Sequence, residues 1–300
     1  MQFLNNSLVE KKTVTVVLEN TIKKTFMSFA SELTKATAFI KKDMKISVSY
    51  KLQFVFQFLQ IFFSIAVIFF LDKMLAQSGK ASALEQYGGS YFSFALVGLA
   101  INSYLRAGLV TITNDIRQTM DQGTLEAMCA TPTNYTWLIL CSSLWQFVFE
   151  TIRVTCYFAV AIFIFGMKLD RANWPVALLA LALTAPTFLM LGVISCSILV
   201  VVKKGDPVNW VFSSLGAILA GTMFPVSVLP NWMQKISFCL PLTHSLEAAR
   251  RTLLVGAGFG QIAVNIQALL VFVLILIPLT VFTNNICMKY AKKKGAFSTY

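Results

Sequence analysis

Hydrophobic and polar positions along this chain fall into long separate blocks and do not alternate over short distances. Apolar runs cover Leu52–Leu71, Tyr91–Ile112, Tyr135–Met167, Trp174–Val202, Val208–Phe224 and Ile262–Met288. Several reach or exceed the roughly 20 residues that a helix needs to cross a hydrocarbon core about 30 Å thick. Lipid offers backbone amides no partner, so these runs predict six transmembrane helices; the short alternating strands of a closed barrel are not found. Tyr135–Met167 is longer than one crossing requires and should tilt or protrude. Pro186, midway along Trp174–Val202, should kink that helix.

The polar stretches add three features. Before the first span, Phe26, Phe29, Ala30, Leu33, Ile40 and Met44 recur at helical spacing, with Lys35, Lys41, Lys42 and Lys45 mostly off that stripe. This predicts an amphipathic helix lying at the membrane interface, although a soluble helix packed on a partner would show the same period. Between the second and third spans lies a helix-forming polar insert, Asn114–Pro132. Asn114 or Asp115 offers an N-cap, Gln122–Gly123–Thr124 breaks the pattern, and Thr131–Pro132 stops it. Between the fifth and sixth spans, Pro225, Pro230 and Pro241 cut Pro225–Gln261 into pieces too short to cross, which predicts short re-entrant or interfacial helices. The expected layout is all-α and polytopic: an N-terminal segment 1–51, a six-span domain 52–288 and a basic tail 289–300.

Composition rules out a soluble domain, with 57% hydrophobic residues, only 13% charged and a mean hydropathy of +0.70. The net charge of +12 sits at the two ends and beside the apolar runs. That placement suits topology and anionic headgroups, and no nucleic-acid partner is expected. With six spans, the side holding both termini and the Asn114–Pro132 insert carries sixteen lysines and arginines against seven on the other. The excess predicts that both termini and the insert are cytosolic.

Candidate chemistry is sparse. Glu150 and Arg153 stand three residues apart inside the third span and can pair on one helix face. An ionisable pair in the membrane is either functional or a self-neutralised element of packing specificity. Arg106, two turns from the predicted cytosolic end of the second span, is expected to snorkel there. His244 is the only histidine and the six cysteines show no ligand spacing, so no metal site is predicted. No GxxxxGK[ST] motif and no Ser/His/Asp arrangement occur, so no catalytic residue is assigned and the chain is not read as an enzyme. Asp206–Pro207 reads as a simple turn.

Two patches carry a family resemblance. The first is Ile116–Arg117, then Gly123–Thr124–Leu125–Glu126 and Ala130–Thr131–Pro132. The second runs Gly221–Thr222–Met223–Phe224–Pro225, Leu229–Pro230–Asn231–Trp232, Leu240–Pro241–Leu242 and Glu247–Ala248–Ala249–Arg250. In this order and layout the chain resembles the membrane subunits of type-2 ABC exporters over roughly residues 50–290. The resemblance implies that Ile116, Arg117, Asp121, Gly123, Thr124, Leu125 and Glu126 form a coupling helix docking on a separate ATPase. It also implies that Phe224, Pro225, Leu229, Pro230, Pro241, Leu242, Glu247 and Arg250 belong to short re-entrant helices at the outer side. Two permeases, identical or paralogous, would assemble with two ATPase subunits in a bacterial-type cytoplasmic membrane. ATP and Mg²⁺ would be held by the partner and no cofactor by this chain. The cargo expected is a drug, an antibiotic or a lipid; a lipid-linked polysaccharide exporter is the alternative. A channel, scramblase or sensor without an ATPase is the alternative from another class. The N-terminal segment of about 50 residues and the 72–90 loop are long against the common form of the family that the chain resembles.

Overall fold

The computed structural model describes residues 51–77, 82–123, 135–202 and 205–293, together with Thr37, Lys41, Met44 and Lys45. The chain divides into units 1–49 and 50–300, and the helices that follow belong to the second. The expected amphipathic helix Phe26–Lys45 falls almost wholly outside the described residues.

The described residues are helical, without strands. The elements are α1 (Lys51–Gln77), α2 (Tyr91–Asp121), α3 (Tyr135–Phe163), α4 (Trp174–Val202), α5 (Pro207–Leu219), α6 (Asn231–Phe238), α7 (Pro241–Arg250) and α8 (Phe259–Lys293). Five of them, α1, α2, α3, α4 and α8, are long and apolar enough to cross a membrane. α4 lies at the centre, in long contact with α8 and against α2 and α7. α2 and α4 are mostly buried, whereas α1, α3 and α8 turn apolar faces outward, Phe63, Phe70, Ile152, Val264 and Leu274 among them. Outward apolar side chains are what a bilayer solvates.

The second span differs from its expectation. Asn114 and Asp115 cap nothing: α2 runs through them as one 31-residue helix to Asp121. A π-turn at Ala107–Thr111 lies in its middle. The helix continues because Ile112, Ile116 and Met120 keep its apolar stripe and bury it against Val193, Cys196 and Val200 of α4. That burial outweighs the local preference of Asn and Asp for caps. At the π-turn the two helices nearly touch: a Cβ on Gly192 would collide with the Gly108 carbonyl oxygen. Small residues at a crossing let membrane helices approach this closely.

The fifth span also departs from Val208–Phe224. Its helix ends at Leu219, because Gly221 takes the left-handed region at φ 73° and reverses the chain. Thirteen residues extend only about 20 Å, short of the hydrocarbon thickness. Both ends of α5 are nevertheless let into the bundle. Asp206, its N-cap, accepts from Asn209 N at 3.0 Å and from Ser195 Oγ at 2.6 Å, seven residues before α4 ends. The carbonyls of Gly221 and Thr222 meet Arg250 beside α2 near its other end. Asp206–Pro207 is therefore an anchor for α5 as well as a turn. Among the described residues α5 is thus a shorter apolar helix beside the five long ones. Residues 163–174 and 220–259 gather at one end with the start of α2, and Asp121 lies at the other. Pro186 and Pro278 sit inside helices that continue through them.

Candidate functional site

The insert's first half is the lower end of α2. Ile116 is buried, Arg117 is half-buried with a buried Nε that has no partner among the described residues, and Asp121 is exposed. Gln122 N donates to the Gln118 carbonyl and Gly123 N to the Met120 carbonyl, both at 3.0 Å. Gly123 has φ 68°, and no described atom lies near the Cβ it lacks. A glycine suits the left-handed conformation that stops the helix here. Thr124, Leu125 and Glu126 lie outside the described residues. Polar ties between described residues at this end include Gln146 Nε2 to Asp115 Oδ2 at 3.3 Å and Thr113 Oγ1 to Ser195 Oγ at 3.5 Å.

At the opposite end, Arg250 is the largest fully buried side chain. Its guanidinium donates to the carbonyls of Phe94 (3.3 Å), Gly221 (2.9 Å) and Thr222 (2.7 Å), and it lies 3.5 Å from the centre of the Phe94 ring. Burial lowers its pKa to about 10, so it remains charged at neutral pH. The guanidinium thus satisfies carbonyls left open where α5 stops, and ties that turn to α2. Gly98 makes room, since a Cβ there would meet Arg250 Nη2 at 2.7 Å. Glu247, one turn earlier, accepts from Tyr87 Oη at 2.6 Å and from Arg251 Nε at 2.6 Å. Burial, then the bond to Glu247, pushes the Tyr87 phenol upward. Pro241 starts α7 at its first turn and Leu242 is buried in the main core. Phe224 and Leu229 are half-buried, Pro225 is buried, and Pro230 precedes α6 at the surface. The eight residues expected in re-entrant helices thus lie in or beside a short-helix unit, and Glu247 and Arg250 fasten it to α2 and the loop before it.

A third region lies between α1, α2 and α3. A cavity of about 420 Å³ is lined by Gln57, Gln60, Ser64, Asn102, Ser103, Arg106, Glu150 and Arg153, among others. Arg153 Nη1 donates to Glu150 Oε2 at 3.1 Å, the predicted pair. With its amide oxygen assigned toward Arg153, Gln57 accepts from that guanidinium as well. Arg106 lines the same cavity. Beyond it α2 runs on for fifteen residues, about 22 Å. On the other side of the α2–α3 contact, a separate apolar cavity of about 210 Å³ opens against α4 and α7.

His244 joins the short helices to α8. Nε2 faces the Phe238 carbonyl at 2.9 Å and Nδ1 lies 3.2 Å from the Asn265 side-chain amide. Among the described residues no group of three metal-ligating side chains occurs.

Long apolar helices, a proline-started short-helix unit at one end and a helical extension at the other define an integral membrane protein. A model of the ABC-2 type transporter family matches residues 36–254, and the chain belongs to that family. It is therefore an ABC transporter permease, the membrane subunit of such a transporter. It is similar to nodulation protein J of Sinorhizobium fredii (strain NBRC 101917 / NGR234), 33% identical over 119 residues. That match covers 37% of this chain and 44% of the relative, so it spans under half of the relative's length. It is also similar to nodulation protein J of Neorhizobium galegae, 26% identical over 203 residues, covering 66% of this chain and 75% of the relative.

Proposed function

We propose that this permease is the membrane part of an ATP-driven exporter that moves a hydrophobic or amphipathic molecule out of the cytosol or the inner leaflet by alternating access. Separate ATPase subunits bind ATP and Mg²⁺ and dock on Ile116, Arg117, Asp121, Gly123, Thr124, Leu125 and Glu126. A second copy or a close paralogue completes the path, and both termini face the cytosol of a bacterial-type cell. A drug, an antibiotic or a lipid is the cargo class preferred over a lipid-linked polysaccharide.

The observation that carries this reading is the continuity of α2 from Tyr91 to Asp121. An unbroken helix about 46 Å long passes a push on its cytosolic end into the membrane without loss in a loop. The test is copurification with a P-loop ATPase, followed by transport in proteoliposomes. Glu126→Arg and Gly123→Val are expected to abolish association and ATP-dependent flux. Flux of undiminished rate without any ATPase would replace this reading with a channel or scramblase, and movement of a glycan-lipid alone would overturn the cargo preference.

A further inference from the structure

The cavity between α1, α2 and α3 is not neutralised by its own residues. Glu150 and Arg153 cancel each other's charge, but Arg106 has no hydrogen bond or ion pair among the described residues. Two acceptors are also orphaned, Glu150 Oε1 and Asn102 Oδ1, both buried and without a donor. The Glu150 side chain is only 5% exposed. Ser103, whose hydroxyl lies beside that carboxylate, donates instead to the Ala100 carbonyl at 2.7 Å. A buried acceptor left without a donor is unfavourable, and Arg106 adds an unpaired positive charge on the cavity wall. A half-satisfied network of this kind is the mark of a site that a ligand completes.

The complement follows from the three unmet groups. Arg106 calls for one negative charge, and the two orphan acceptors call for hydroxyl donors. Inorganic phosphate fits less well: its P–OH groups could donate, but near neutral pH much of it carries a second negative charge that Arg106 alone does not cancel and that Glu150 would repel. A zwitterionic ammonium headgroup supplies donors but leaves the positive charge uncancelled. The volume of about 420 Å³ lies in the range of small-ligand pockets and exceeds what a single bridging water needs. We propose that this cavity binds a singly anionic phosphate ester carrying free hydroxyls, such as a phosphoglycerol headgroup, with Arg106 on the phosphate and Glu150 and Asn102 accepting from the hydroxyls. The site belongs to the permease alone and does not depend on what is exported.

The test is a lipid titration of the full-length permease followed by native mass spectrometry, using phosphatidylglycerol, phosphatidylethanolamine and phosphatidylcholine with the same acyl chains. The soluble phosphodiester glycerophosphoglycerol and inorganic phosphate form two further arms. Phosphatidylglycerol is expected to bind about tenfold more tightly than either zwitterionic lipid, the worth of one charge-assisted bond. Arg106→Gln, on a cavity wall and outside the packed core, should leave the melting temperature unchanged and reduce that preference to about twofold or less; Arg106→Lys should restore it. Competition by glycerophosphoglycerol, but not by inorganic phosphate, supports the site and shows that the free headgroup suffices. A preference seen with lipid alone supports it as a lipid site. Equal affinity for all three headgroups, or a preference that survives in Arg106→Gln, overturns the proposal in favour of a hydrated cavity with annular lipid.

Discussion

The two ends of α2 are held by different kinds of force. Near Tyr91 the helix is pinned by directional bonds: one guanidinium holds Phe94, Gly221 and Thr222 together, and Tyr87 is bonded to Glu247 on α7. Near Asp121 it rests on an apolar seam of Ile112, Ile116 and Met120 against α4, with polar contacts from Asp115 to Gln146 and from Thr113 to Ser195. Bonds to a buried charge are directional, whereas an apolar seam is held by burial and steric fit alone. The glycine crossing and the π-turn fall between the two regimes. One helix can therefore be fixed at one end and free to shear at the other, as a lever is.

Breaking the pinned end should have the largest effect. Arg250→Leu leaves three buried carbonyls without a donor, and we expect a loss above about 3 kcal/mol, read as a lower unfolding midpoint in detergent. A wild-type midpoint would show that the clasp holds nothing. Next comes the crossing. Gly192→Ala drives a Cβ into the Gly108 backbone, so a loss of about 2 kcal/mol should appear in the same measurement. Tyr87→Phe should cost about 1–2 kcal/mol through the bond to Glu247.

That variant also carries a pH signature. The Tyr87 phenol titrates above its ordinary value of 10.0 in the folded protein because of burial and Glu247. Its contribution is thus complete below pH 10 and declines as pH rises beyond that. Wild type should lose stability in that alkaline range more steeply than Tyr87→Phe, and parallel profiles would contradict the assignment. The smallest effect belongs to the free end. Gly123→Ala strains only a terminal turn, so about 1 kcal/mol or less is expected in the midpoint, while ATPase association should suffer far more. A large drop in the midpoint would mean that this end is as rigidly held as the other.

Much of this was legible beforehand, because membrane helices advertise themselves through the length of their apolar runs. The Glu150–Arg153 pair was readable for a similar reason, since its partners are one turn apart. The errors share a cause. Asn114–Asp115 looked like a cap because local preference was weighed without the α4 surface that buries Ile116 and Met120. Val208–Phe224 looked like a full span because Gly221, Thr222 and their partner Arg250, some thirty residues on, do not signal one another in sequence. The clasp on Phe94 joins residues 156 positions apart, and no periodicity reports such a contact.

Distances between spin labels would test the lever most directly. One pair, Gln86 and Val255, spans the pinned end; the other, Gln118 and Val202, spans the free end, and all four positions are exposed. With the ATPase partner bound, adding nucleotide should shift the 118–202 distance and leave 86–255 unchanged. A static 118–202 distance, or equal shifts at both ends, would contradict the account.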